Sequence, residues 1–229
     1  MRFEEIIARL KKNANPENVK GMARFGISSK NTFGVCTPKL WDISKKAGKD
    51  HSLALKLWAS GYHEARILAC IIDEPEKASE KQLDKWAEDF DSWDTCDQCC
   101  MRLFRETPFA YRKVVEWSSR REEFVKRTSF SLMATLAVGD KKASDKEFEK
   151  FLPIIKREAT DERNYVKKAV NWALRQVGKR NLALNKKAIA AAKEIQKIDS
   201  KAAKWIAADA LRELQGEAVQ KRLKKKVNK

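Results

Sequence analysis

Trp93 and Asp97 stand four residues apart in the stretch FDSWDTCDQCC. On a helix that spacing puts both side chains on one face and within reach of one object. A carboxylate and the negative face of an indole both favour positive charge, so the pair suits an object that carries or develops a cation. Trp172, in VNWALRQ, has Lys168 four residues before it and Arg175 three residues after, so a second helical face sets an aromatic ring between two cations. Core packing is the ordinary role of a tryptophan at helical spacing. Asp97 alters the weighing for Trp93, because an aspartate on an otherwise apolar segment needs a partner or access to water, and helix capping or an ion pair would also satisfy it.

Such pairs need elements to hold them, and the composition points to helices. The chain has 229 residues, 43% hydrophobic and 35% charged, with only 8 glycines and 5 prolines. That balance suits a helical protein with a sizeable core. No Pro/Gly/Ser-rich linker divides it, so a single domain over residues 1–229 with a short basic C-terminal tail is expected. Forty-nine Lys and Arg against 32 Asp and Glu leave a formal charge of +17. An excess of that size attracts polyanions, nucleic acid first, with an acidic membrane surface or an acidic protein as the other candidates. No apolar run is long enough for a membrane span, and MRFEEIIARLKKNANP alternates charge too soon for a signal peptide. A cytoplasmic protein is expected, associated with the nucleoid if the source is prokaryotic.

Five cysteines is an odd number, and without a secretion signal they read as reduced thiols that pack between helices. Cys96, Cys99 and Cys100 cluster, but Cys36, Cys70, His51 and His63 show no paired spacing that would complete a structural zinc site. No metal is expected.

Apolar residues recur at three- and four-residue intervals in FEEIIARLKK, HSLALKLWAS, ARILACII, EKQLDKWAEDF, FAYRKVVEWSS, VKRTSFSLMATLAV, KEFEKFLPIIKREA and YVKKAVNWALRQVGKRN. Breaks fall at ANPEN, CTPKL, DEPEK, ETPF, VGDKKASD and ATDERN, each carrying Pro, Gly, Asp or Asn. About a dozen helices in pairs are expected, and no strand. EEFVKRTSFSLMATL and ERNYVKKAVNWALRQ repeat an aromatic, a Val-Lys, a second base and an apolar face at an offset of about 41 residues, within the HEAT and armadillo range. KWIAADALREL echoes the pattern at a shorter interval. The fold class is therefore all-α, a HEAT-like helical-repeat solenoid of stacked helix pairs with a concave groove. Lys126, Arg127, Lys167, Lys168, Arg175 and Lys204 recur at corresponding places and make that groove basic. Solvation of helix surfaces accounts for most of the remaining Lys and Arg.

With these residues in place, the sequence resembles the AlkD-type DNA alkylation-repair glycosylases, a family built from HEAT-like repeats. The resemblance runs from MARFGISSKNTFGVCTPKL through FDSWDTCDQCC and EEFVKRTSFSLM to YVKKAVNWALRQVGKRN. The ordered combination of a Trp-x-x-x-Asp helix, a basic helix and a Trp-x-x-Arg helix is what makes it specific. It implies that Asp97 is the catalytic aspartate and that Trp93 and Trp172 flank the deoxyribose of the damaged nucleotide. It also implies that Arg127 and Arg175 hold the DNA backbone near the lesion, with Lys126 and Lys168 beside them in the basic series. Thr37, Pro38 and Lys39 match the loop after the N-terminal helices, a backbone contact. Phe25 stands where tyrosine is expected in the best-known members, so a hydroxyl contact is lost there and an apolar DNA or packing contact remains.

The implied reaction is hydrolysis of the N-glycosidic bond of cationic alkylpurines, N3-alkyladenine and N7-alkylguanine, in duplex DNA. It is the work of a monofunctional glycosylase acting as a monomer without cofactor. The charged base already leaves readily, and the sugar becomes oxocarbenium-like as the bond stretches. A carboxylate about 4 Å from unit positive charge at an effective dielectric of about 20 is worth about 4 kcal/mol, roughly a thousandfold in rate. The alternative reading is a non-catalytic HEAT-repeat protein that binds distorted or branched nucleic acid. An adaptor for an acidic protein is a third.

Overall fold

The computed structural model of the chain describes residues 1–227, and in them fifteen α-helices and two short 3-10 turns with no strand. The first compact unit, Met1–Ala110, opens with α1 (Phe3–Lys12), α2 (Pro16–Arg24) and α3 (Thr37–Ala47). The pairs α4 (His51–Ala59) with α5 (His63–Ile72) and α6 (Glu80–Glu88) with α7 (Trp93–Arg102) follow. The second unit starts at Tyr111 and takes nearly all of α8 (Ala110–Ser118), then α9 (Glu123–Gly139), α10 (Asp145–Glu149) and α11 (Phe151–Arg157). It continues with α12 (Asn164–Gly178), α13 (Leu182–Gln196), α14 (Lys201–Gln215) and α15 (Glu217–Val227).

Local chemistry sets most of these boundaries. Asn15 accepts from the amides of Glu17 and Asn18 at the start of α2, where Pro16 takes the first helical position. Ser79, Asn181 and Ser200 cap α6, α13 and α14 in the same way. The run KEFEKFLPIIKREA, read as one helical segment, is two short helices. Pro153 lacks an amide and its ring would collide with the carbonyl of Glu149, the last residue of α10.

Equivalent helices of successive pairs lie side by side and parallel, as named contacts show. In the first unit His63 meets Asp94 near the starts of α5 and α7, and Cys70 meets Cys99 further along both. In the second, Arg127 reaches the Tyr165 carbonyl near the starts of α9 and α12, and Arg180 reaches the Ala137 carbonyl near their ends. Between α12 and α14 the pairs Lys167–Trp205, Asn171–Asp209 and Arg175–Glu213 form successive rungs. Each pair leaves an apolar face that only its neighbour covers, the logic of HEAT-like repeats. α9 begins at Glu123 and α12 at Asn164, in keeping with the 41-residue repeat, and the step to α14 at Lys201 is shorter.

Each unit has its own core. Ile6, Leu10, Leu57, Leu68 and Leu83 are buried in the first, beside Trp58 and Trp86, whose rings stack at 4.0 Å. Trp117, Phe130, Phe148, Leu174 and Leu214 are buried in the second. Gly178 lets α12, α13 and α14 approach closely, for a Cβ there would stand 2.7 Å from Leu214 and 2.9 Å from Ala188.

The cysteines depart from the sequence reading. Cys96 and Cys100 are buried thiols, as helix-packing residues would be, but Cys70 and Cys99 form a disulfide with Cα atoms 5.1 Å apart. Parallel packing of α5 on α7 brings these two side chains together, and a spacing of 29 residues carries no sign of it. The end of the basic C-terminal tail, residues 228–229, lies outside the described residues. The preceding turns continue α15 and bury Leu223.

Candidate nucleic-acid site

Trp93 is the first residue of α7, and Asp97 follows one turn later on the same face. Both are partly buried, while Cys96, Cys99 and Cys100 fill the face toward the core. The Trp93 indole is oriented from outside its own helix, since Nε1 donates to the Phe25 carbonyl at 2.9 Å. Phe25 closes α2 and is itself 74% exposed. The first unit therefore brings Phe25 to Trp93 through backbone, leaving the phenyl ring in solvent. Thr37, Pro38 and Lys39 are exposed in the first turn of α3.

Three devices hold α7 and its surroundings, and sequence reasoning found none of them. His63, the first residue of α5, is buried, with Nε2 2.9 Å from Asp94 Oδ2 but without the alignment of a hydrogen bond. Burial alone lowers its pKa, but the contact with Asp94 and the fields of Glu64 and Asp91 outweigh burial, and the net shift is upward. Glu64, also buried, accepts the amides of Phe33, Gly34 and Val35 at 2.9, 2.6 and 3.1 Å and so fixes the segment between α2 and α3. The disulfide Cys70–Cys99 is the third. A His-Glu pair opening the apolar run ARILACII was the available signal, since ionisable groups that enter a buried helix need partners.

Trp172 is partly buried on α12, and Lys168, one turn earlier, is exposed. The other basic positions are already engaged. Arg127 is only 5% exposed, and its Nη1 donates to the Tyr165 carbonyl at 2.7 Å. Lys126 lies 2.5 Å from Glu158 and 3.6 Å from Asp161. Arg175 donates to Glu213 at 2.5 Å with Asp209 3.6 Å away, and Lys179 shares Glu213 at 2.6 Å. Burial raises the Glu213 pKa, but the bonds from Lys179 and Arg175 more than reverse this and hold it below the usual carboxylate range. Of these five bases, Lys168 is the one whose charge faces solvent without an acidic partner among the described residues.

No curated protein matches the chain. A solved structure with a TM-score of 0.81 and 24% identity, covering 97% of this chain and 96% of the other, is described as a new family of proteins related to the HEAT-like repeat DNA glycosylases with affinity for branched DNA structures. That likeness establishes a HEAT-like fold. A designed armadillo repeat protein matches at a TM-score of 0.36 and 15% identity over 87% of this chain and 99% of its own. Among the described residues no helix is long and apolar enough to cross a membrane. A family model described as DNA alkylation repair enzyme matches residues 6–214, nearly the whole sequence, and the chain therefore belongs to the DNA alkylation repair enzyme family.

Proposed function

We propose that the protein is a monofunctional DNA glycosylase that hydrolyses the N-glycosidic bond of cationic alkylpurines in duplex DNA. The observation that carries this reading is the pairing on α7. Asp97 stands partly buried one turn from Trp93, and the Trp93 ring is held by the Phe25 carbonyl. Membership of the DNA alkylation repair enzyme family supports alkylated DNA as the substrate class.

In this reading Asp97 faces the deoxyribose as positive charge develops at its anomeric carbon, either stabilising that charge or aligning the attacking water. Partial burial strengthens the interaction relative to bulk water. Trp93 contributes the negative face of its ring, worth about 0.5–2 kcal/mol toward a cation. Trp172 and Lys168, in the second unit, are proposed DNA contacts, the first by its aromatic ring and the second by its charge. Arg127, Lys126 and Arg175 join them with their geometry set by protein partners, while Phe25, Thr37, Pro38 and Lys39 offer exposed surface to the backbone.

The test is release of free base from a duplex holding a single 7-methylguanine, under single-turnover conditions. Asp97→Asn is expected to slow release by roughly two to three orders of magnitude with DNA affinity almost unchanged. An Asp97→Asn protein as fast as the wild type removes the assigned role.

A second reading has its own observation. Arg127 is buried and Arg175 is matched by two carboxylates, an arrangement that suits a scaffold as well as an active site. A non-catalytic protein that binds distorted or branched nucleic acid would release no base from the same duplex while still retaining it.

A further inference from the structure

The second unit holds a cavity of about 450 Å³ at the far ends of α9 and α12 from Arg127 and Lys168. Lys141, Lys179, Arg180 and Arg222 line it, and among the described residues Asp145 is the single carboxylate in its wall. Helix C-termini attract cations, and part of this arrangement is capping. Arg180 donates to the Ala137 and Ala143 carbonyls at 3.2 and 2.9 Å, Arg222 to the Lys179 carbonyl at 3.3 Å, and Lys141 to the Val138 carbonyl.

Capping does not exhaust Lys141 and Arg222. A guanidinium has five N–H donors and an ammonium three. Arg222 and Lys141 are exposed, and among the described residues each has one bond to a backbone carbonyl and no carboxylate partner. Lys179 is matched by Glu213, and Asp145 is held by Asn181 Nδ2 at 2.8 and 2.9 Å. Arg180 is fixed twice over, by the two carbonyls and by the Phe148 ring 4.0 Å beneath its guanidinium. The carbonyls that would repel an anion are thus covered by donors, and with Lys179 matched by Glu213 the wall sets Lys141, Arg180 and Arg222 against Asp145.

We propose that this cavity is an anion site for a phosphate group. Lys141 and Arg222 grip phosphate oxygens from the rim, Arg180 supplies a fixed positive field behind them, and Ser144 and Gln176 offer neutral hydrogen-bonding groups. The cavity is large enough to take a nucleoside together with its phosphate. The phosphate belongs either to a DNA strand or to a free phosphorylated small molecule.

The test follows the Arg Nε–Hε resonances of the ¹⁵N-labelled full chain by NMR during titration with inorganic phosphate, with a 5′-mononucleotide and with an unmodified duplex. Arg180 and Arg222 are expected to shift, and the double variant Lys141→Glu/Arg222→Glu, checked for folding by circular dichroism, to lose the response. Shifts with the duplex assign the phosphate to DNA, and the double variant then binds duplex roughly tenfold or more weakly with a salt slope smaller by about two. Shifts with phosphate or mononucleotide alone assign it to a small molecule. No shift with any of the three overturns the proposal. Base release is not the readout, so failure here leaves the glycosylase reading untouched, and the reverse also holds.

Discussion

The indole of Trp93 donates a 2.9 Å hydrogen bond to the backbone carbonyl of Phe25, 68 residues earlier in the chain. The acceptor is main chain, so the two residues can be separated experimentally. Trp93→Phe keeps an aromatic face but loses the donor, and a hydrogen bond of about 1 kcal/mol that orients the ring corresponds to a roughly fivefold to tenfold slower single-turnover base release. Phe25→Ala keeps the carbonyl and is expected to change the rate less than Trp93→Phe does. Equal losses in both variants would mean that the Phe25 ring itself meets the substrate.

Salt dependence separates the bases of α12. Lys168→Ala is expected to reduce the slope of log affinity against log salt by about one, as loss of one phosphate contact does. Arg175→Ala is expected to change it less, because Glu213 and Asp209 already match the arginine's charge. Fluorescence anisotropy across a salt series measures both, and an unchanged slope for Lys168→Ala removes that residue from the phosphate contacts.

The His63–Asp94 contact predicts a direction with pH. The folded pKa of His63 lies above its ordinary value of 6.5, so the charged pair stabilises the fold fully below that value. Its contribution is lost as pH rises through the folded pKa. The difference in melting temperature between the wild type and His63→Gln should therefore be largest at acid pH and shrink toward alkaline pH. The groups facing His63 are Asp94, Thr95, Glu64 and Asp91. An NMR titration that places the imidazole below 6.5 refutes the assignment.

Two glycines in helices should respond in opposite directions. Gly178→Ala drives a methyl group into Ala188 and Leu214 and is expected to destabilise the protein by about 1–3 kcal/mol, despite alanine's better helix propensity. Gly21, in α2, has nothing within 4 Å of the position a Cβ would take, and Gly21→Ala is expected to stabilise by about 0.5–1 kcal/mol. Chemical denaturation of the two variants gives both signs.

By itself the sequence determined what depends on neighbours a few residues away. The three- and four-residue apolar spacing made the helices, Asn15 with Pro16 and the Gly139–Ser144 stretch ended or started them, and the i, i+4 relation put Trp93 and Asp97 on one face. The recurrence of that pattern about 41 residues on implied stacked pairs. Pro153 was also legible, and it splits α10 from α11 within a run whose apolar spacing is continuous. Only the tertiary structure decided what each polar side chain meets. Arg127 and Arg175 belonged to a basic series in the sequence, but stacking sets the Tyr165 carbonyl against one and Glu213 against the other, each 38 residues away. The same holds for His63 on Asp94, for Glu64 on the amides of Phe33, Gly34 and Val35, and for Cys70 on Cys99. Periodicity fixes which face of a helix is apolar, whereas the partner of a charge on that face depends on the register at which the next pair is laid down, and that register is a property of the packed interface.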